Sequence, residues 1–138
     1  MASSVRLVAT LAVEPRSTQS SLRFASKGGF RVYRNKDGML YRRNLVLAAN
    51  KFSPKEAFTG PIRVDVTFVL RRPNSKKKGQ RVHAPVRPDR DNLLKPLFDA
   101  LTTAAWWVDD AQICEGETTK VYGATGEAPC IEIIVTKV

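Results

Sequence analysis

Apolar residues fall at every second position at the start of the chain: Val5, Leu7, Ala9, Leu11 and Val13. A period of two predicts a half-buried strand. Glu14–Gly29 is Ser-rich and carries Arg16, Arg23 and Lys27, so a polar loop is expected there. Phe30–Lys36 reads as a second strand, with Asp37-Gly38 offering the positive-φ dipeptide that a tight hairpin wants. From Tyr41 the period lengthens. Tyr41, Leu45, Ala48, Ala49 and Phe52 share one helical face, and Ser53-Pro54 ends that helix.

After Gly60-Pro61 comes the clearest strand, in which Ile62, Val64, Val66, Phe68 and Leu70 alternate with Arg63, Asp65 and Thr67. Arg71–Val86 breaks the pattern with Pro, Gly, Ser and six basic residues, and reads as a loop that is mobile around Lys76-Lys77-Lys78. A second helix is expected over Asn92–Ala105, with Leu93, Leu94, Leu97, Phe98 and Leu101 as its buried stripe. Pro96 is tolerable only in a first turn, which would place the ordered start nearer Leu93. Strands over Gln112–Tyr122 and Cys130–Thr136, joined by a turn at Gly123–Pro129, close the chain. The order β, β-hairpin, α, β, α, β, β predicts an α/β (α+β mixed) fold. It would be a single domain over residues 1–138, with one mixed sheet and about two helices packed on it.

The chain of 138 residues, 43% of them hydrophobic, suits a domain with its own core and excludes a disordered chain. Its apolar runs are too short for a membrane span, and its N-terminus lacks a signal-peptide pattern, so an intracellular protein is expected. Cys114 and Cys130 lie in separate strand-like segments and are expected to be reduced core residues. A net charge of +10 makes nucleic acid the leading partner and an anionic membrane surface the second; the absence of an amphipathic basic helix argues against the membrane.

Against that charge, Arg87–Gln112 collects five of the thirteen acids: Asp89, Asp91, Asp99, Asp109 and Asp110. In extended backbone, Asp89 and Asp91 would point to the same side, about 6.5 Å apart, with Arg90 on the other. Two such carboxylates suit a hard cation such as Mg²⁺, which keeps waters and room for phosphate oxygens. Lys95, four residues after Asp91, would share its helical face and could neutralise charge on a phosphoryl group. Asp99 lies two turns beyond Asp91, too far to share the ion. The plainer alternative is that Asp91 caps a helix, Asp91–Lys95 is a surface pair, and Asp109-Asp110 are turn residues.

The string R-P-D-R-D-N-L-L-K-P-L-F-D-A-L followed by W-W-V-D-D-A-Q-I resembles the RusA family of Holliday junction resolvases over Arg87–Ile113. The resemblance implies a small α/β homodimer that nicks DNA four-way junctions using Mg²⁺, in the cytoplasm of a bacterial or phage-infected cell. It implies Asp89, Asp91 and Asp110 as catalytic acids and metal ligands, and Lys95 as the catalytic lysine. Arg90 departs from the family, which more often has an apolar residue there. Two other readings stand beside it: a non-catalytic basic DNA-binding module, and a Mg²⁺-dependent nuclease for flaps or duplex DNA. Arg71, Arg72, Lys76, Lys77, Lys78, Arg81, Arg87 and Arg90 are candidate DNA contacts. Arginines interleaved with Phe24, Phe30, Tyr33 and Tyr41 are candidates for stacking on unpaired bases, although core packing is the more ordinary use of those aromatics. Lone His83 is left outside the catalytic set, and Trp106 and Trp107 are expected to pack in the core and at an interface.

Overall fold

The structure, a computed structural model, describes residues 5–18, 22–26, 29–33 and 36–138. Eight strands and two helices follow in the order β1 (Arg6–Leu11), β2 (Leu22–Ser26), β3 (Gly29–Tyr33), α1 (Lys36–Asn50), β4 (Ile62–Leu70), β5 (Val82–His83), α2 (Arg90–Thr103), β6 (Ile113–Glu115), β7 (Thr118–Tyr122) and β8 (Cys130–Lys137). The main sheet runs β1-β8-β4-β7-β5, with β6 also pairing β4. β8 is antiparallel to both β1 and β4, whereas β6 and β7 run parallel to β4. The expected mixed sheet carrying two helices is therefore present. A separate two-stranded ribbon of β2 and β3 accompanies it.

One face of the sheet is dry. Ile62, Val64, Val66 and Phe68 of β4 and Ile131, Ile133 and Val135 of β8 are buried against both helices. Alternation puts Arg63, Asp65 and Thr67 on the opposite, half-exposed face, which no helix covers among the described residues. Helix α1 buries Tyr41, Leu45 and Ala49, and α2 buries Leu93, Leu97 and Leu101, each set at helical spacing. Leu94 and Phe98 are half-buried against that core. Trp106 and Trp107 are buried beneath the end of α2, where the Trp106 indole N–H donates to Ala49 O at 3.0 Å and joins the two helices.

Three expectations need correction. Asp37-Gly38 is not a hairpin turn; both residues sit in the first turn of α1, where an acid suits the positive end of the helix. The hairpin closes earlier, where Ser26 pairs with Gly29, so a strand occupies part of the expected polar loop. Pro96 lies in the second turn of a helix that already begins at Arg90, and it is buried. Its ring joins the apolar stripe, so packing offsets the main-chain hydrogen bond it cannot make. Cys114 and Cys130 are free, as expected, but Cys114 is exposed rather than in the core.

The strand expected over Gln112–Tyr122 is broken at Gly116, which has φ +150°. A Cβ there would lie 1.9 Å from Val64 O, so only glycine lets the chain pass so close to β4. The Asp65 carboxylate accepts from Glu117 N–H at 2.9 Å, and Val66 N–H donates to Glu117 O at 2.9 Å. These bonds fix the jog between β6 and β7.

Leu97→Ala should lower unfolding free energy by about 2–5 kcal/mol in a urea titration, because Leu97 is wholly buried between helix and sheet. Leu47→Ala, on the exposed side of α1, should stay within about 0.5 kcal/mol. Equal losses would show that the α2 stripe is not the core.

Candidate active site

Asp89 occupies the N-cap position of α2 in extended backbone, yet its side chain makes no capping hydrogen bond. Asp91 follows inside the first helical turn, so the two carboxylates are not presented by an extended strand. They nonetheless line one hollow of about 740 Å³, together with Arg90, Leu94, Gly116, Glu117, Thr118 and Thr119. Helix α2 forms one wall and the jog between β6 and β7 forms the other. Arg90 does not point away; it reaches across the hollow and donates to Thr118 O at 3.1 Å. Glu117 adds a third carboxylate to the lining, and no motif marks it in the sequence.

The Asp109-Asp110 pair divides its work. Asp109 caps a single 3-10 turn, its carboxylate accepting from Ala111 N–H at 2.9 Å. Asp110 begins that turn with an exposed side chain. Sequence reasoning passed over Gln112, which secures the turn. Its Oε1 accepts from Val108 and Asp109 N–H, each at 2.9 Å, and its Nε2 donates to Phe58 O and Gly60 O at 2.9 and 3.0 Å. Every strong donor and acceptor of this amide is used. Its place in D-D-x-Q was the available signal.

Asp110 is not part of the hollow's lining. Among the described residues, no group of three or more His, Cys, Asp or Glu side chains is arranged to hold a metal ion. What the structure brings together is Asp89 with Asp91. Neither carboxylate is used in a hydrogen bond or ion pair among the described residues, and both residues line the hollow. A hard divalent cation that takes one or two carboxylates and keeps its waters fits that donor pair. Lys95 does not turn back toward Asp91; it pairs forward with Asp99 at 3.1 Å on an exposed face.

The basic candidates also separate. Arg72 donates to the carbonyls of Lys77, Gln80 and Gly123, drawing its own loop closed. Gly79 and Thr125 exchange two further bonds, at 2.8 and 2.9 Å. The loop expected to be mobile is therefore tied down. Arg81 forks onto both Glu127 and Glu132, at 2.6 and 2.8 Å. That guanidinium holds the Glu127 carboxyl down to about 2, below its ordinary value. Arg71 meets Glu14 at 3.3 Å. Among the described residues, Lys77, Lys78 and Arg87 are exposed without a carboxylate partner, and Lys76 sits 5.3 Å from the centre of the Tyr122 ring. His83 is exposed on β5. The side chains of Arg23, Phe24, Phe30, Arg31, Tyr33 and Arg34 lie outside the described residues. Tyr41 packs in the core instead of being free to stack.

An acid-lined hollow in a strongly basic chain is an arrangement suited to work on a polyanion. The family description Endodeoxyribonuclease RusA matches residues 13–136, and the chain belongs to that family. A crossover junction endodeoxyribonuclease of Lactococcus phage r1t is 35% identical over 114 residues, covering 81% of this chain and 82% of its own length. The crossover junction endodeoxyribonuclease RusA of Escherichia coli K12 is 41% identical over 51 residues, 37% of this chain and 41% of its own. The protein of that name from Enterobacteria phage 82 matches to the same extent.

Glu127 is ionised at lower pH in the folded chain than in the unfolded one, so its pairing stabilises the fold above its ordinary value of 4.5. That contribution fades as pH falls toward about 2. In urea titrations across pH, parent and Glu127→Gln should differ most at pH 6 and converge through that acidic window. A gap that persists unchanged below it would remove Arg81–Glu127 as the cause.

Proposed function

We propose that this protein is a Mg²⁺-dependent endodeoxyribonuclease that resolves DNA four-way junctions by paired nicks. The observation that carries the proposal is the state of Asp89. A helix-capping aspartate would direct its carboxylate at its own helix, and Asp89 makes no such bond. With Asp91 it lines the hollow instead. The match of the whole motif stretch to a nuclease family supports the same reading.

In this proposal Asp89 and Asp91 hold the cation. Asp110 is the third acid, on the ground of the motif. A bound divalent ion supplies Lewis-acid assistance to phosphodiester hydrolysis. Lys95 carries a positive charge one helical turn from Asp91. Its exposed pair with Asp99 is worth about 0–1 kcal/mol, so a phosphate can draw it away at little cost. Lys76, Lys77, Lys78 and Arg87 attract the DNA backbone, whereas Arg72 and Arg81 shape the loop that presents those lysines. A homodimer is proposed because one chain carries one such site and a junction must be cut on two strands. A monomeric mass by light scattering at working concentration would exclude it. Among the described residues no helix is long and apolar enough to cross a membrane; a cytoplasmic location is part of the proposal.

The test is a labelled synthetic four-way junction incubated with Mg²⁺ or with EDTA. Paired nicks should appear only with Mg²⁺, and their absence would overturn the proposal. Equal cleavage of linear duplex would assign a general duplex nuclease instead. Asp91→Asn should bind junctions at least as tightly as the parent and cut roughly 100-fold more slowly or worse, beyond the usual loss of an outer-shell partner. Parent-like cutting would remove Asp91 from the ligand set.

Replacing Lys76, Lys77 and Lys78 together with Ala should flatten the log–log salt dependence of junction binding by about 2–3, near 0.9 for each phosphate no longer neutralised. An unaltered slope would place the DNA elsewhere.

A further inference from the structure

The segment that leads into Asp89 is held by one residue on the opposite wall. Lys120, on β7, accepts from Ala84 N–H through its carbonyl at 3.1 Å. Its ammonium donates to Val86 O and, at 2.6 Å, to Pro88 O. Three bonds from a single residue thus hold a five-residue segment, Ala84–Pro88. Among the described residues, no other hydrogen bond ties residues 85–88 to a separate element. The side chain is half-buried and has no carboxylate partner among the described residues. Ammonium–carbonyl bonds of this kind are charge-assisted and stronger than neutral ones.

The clamp stands immediately before the acids of the hollow. Asp89 comes directly after Pro88, and no hydrogen bond fixes its own carboxylate. The point from which it projects is therefore set by its main chain, between the clamp on one side and the first turn of α2 on the other. Thr118 and Thr119, which face Asp89 and Asp91 across the hollow, immediately precede Lys120. The residue that fixes one wall also fixes its distance from the other.

We propose that Lys120 is a positioning residue for the reaction: by clamping Ala84–Pro88 to β7, it holds the Asp89 carboxylate where the cation and phosphate must meet. The inference rests on the reading of Asp89 and Asp91 as the acids of the site. Lys120 acts through Asp89 and does not itself touch the phosphate.

The experiment compares the full chain with Lys120→Met and Lys120→Arg. Amide hydrogen exchange of the metal-free proteins reports the clamp without any cleavage. In Lys120→Met, the amides of Val86 to Asp91 should exchange faster, while those of β4 and β8 stay protected. Junction binding in EDTA should be close to that of the parent. The Mg²⁺ concentration for half-maximal nicking should rise, and the saturating rate should fall by about 10–100-fold, as for lost outer-shell support. In Lys120→Arg, amide protection and rate should recover together. If Lys120→Met does not fold, Lys120→Gln, which keeps a donor on a shorter stem, is read the same way.

Unchanged exchange over residues 86–91 overturns the proposal. So does faster exchange with parent-like nicking. A loss confined to junction binding, with the salt slope reduced by about 1, also overturns it, because Lys120 would then be a phosphate contact. Asp89→Asn is run alongside. Parent-like cutting by that variant marks the failure of the site reading itself, while the exchange data still decide whether the clamp exists.

Discussion

Strand β4 is hydrogen-bonded along both edges, antiparallel to β8 on one side and parallel to β6 and β7 on the other. The parallel side governs the molecule. Parallel neighbours cannot be joined by a tight turn, so after Leu70 the chain must cross over before it runs beside β4 in the same direction from Ile113, touching the sheet on the way only at β5 among the described residues. That crossover comprises the lysine-bearing loop, β5, α2 and the capped 3-10 turn. Every residue proposed for metal, phosphate or DNA lies within it. The sheet is the frame, and the connection that its topology demands carries the proposed site.

How much of this is legible in the sequence depends on how local the cause is. The alternation in β4 and the spacing of Leu93, Leu97 and Leu101 are local, and the elements they imply are present. Asp37-Gly38 is local but ambiguous, since the same dipeptide suits a hairpin or a helical first turn. Asp89 and Asp109 show a deeper limit. Both precede a helical turn and both are capping types, but Asp109 caps and Asp89 does not. Gln112, three residues on, folds back on Asp109 N–H, whereas Asn92, at the same spacing after Asp89, makes no such return bond among the described residues. Arg72 and Arg81 count as positive charge in any composition. Apart from Lys77 and Gln80 in the loop that Arg72 closes, their partners, Gly123, Glu127 and Glu132, lie about fifty residues away in sequence.

Charge in this chain is consequently sorted by partner. Several arginines are engaged with carboxylates or carbonyls: Arg63 with Asp65 and Glu115, Arg81 with Glu127 and Glu132, and Arg72 with three carbonyls. The planar fork suits such fixed, multidentate roles, and the lysine ammonium suits looser attraction. Lys77 and Lys78 are exposed and pair with no acid among the described residues, just as Asp89 and Asp91 pair with no base. A basic exterior and an acidic recess coexist because the charges that would have cancelled them are satisfied elsewhere.

The fan of bonds from Arg72 has a thermodynamic consequence. Ordering a free loop backbone costs about 1–2 kcal/mol per residue, a cost normally charged against whatever the loop binds. Here it is met at folding, when the guanidinium gathers the carbonyls of Lys77, Gln80 and Gly123. The backbone that carries the lysines is therefore gathered before any partner arrives, while the ammonium groups of Lys77 and Lys78 make no hydrogen bond among the described residues. A polyanion held by those groups would not have to bear the ordering cost of this loop a second time.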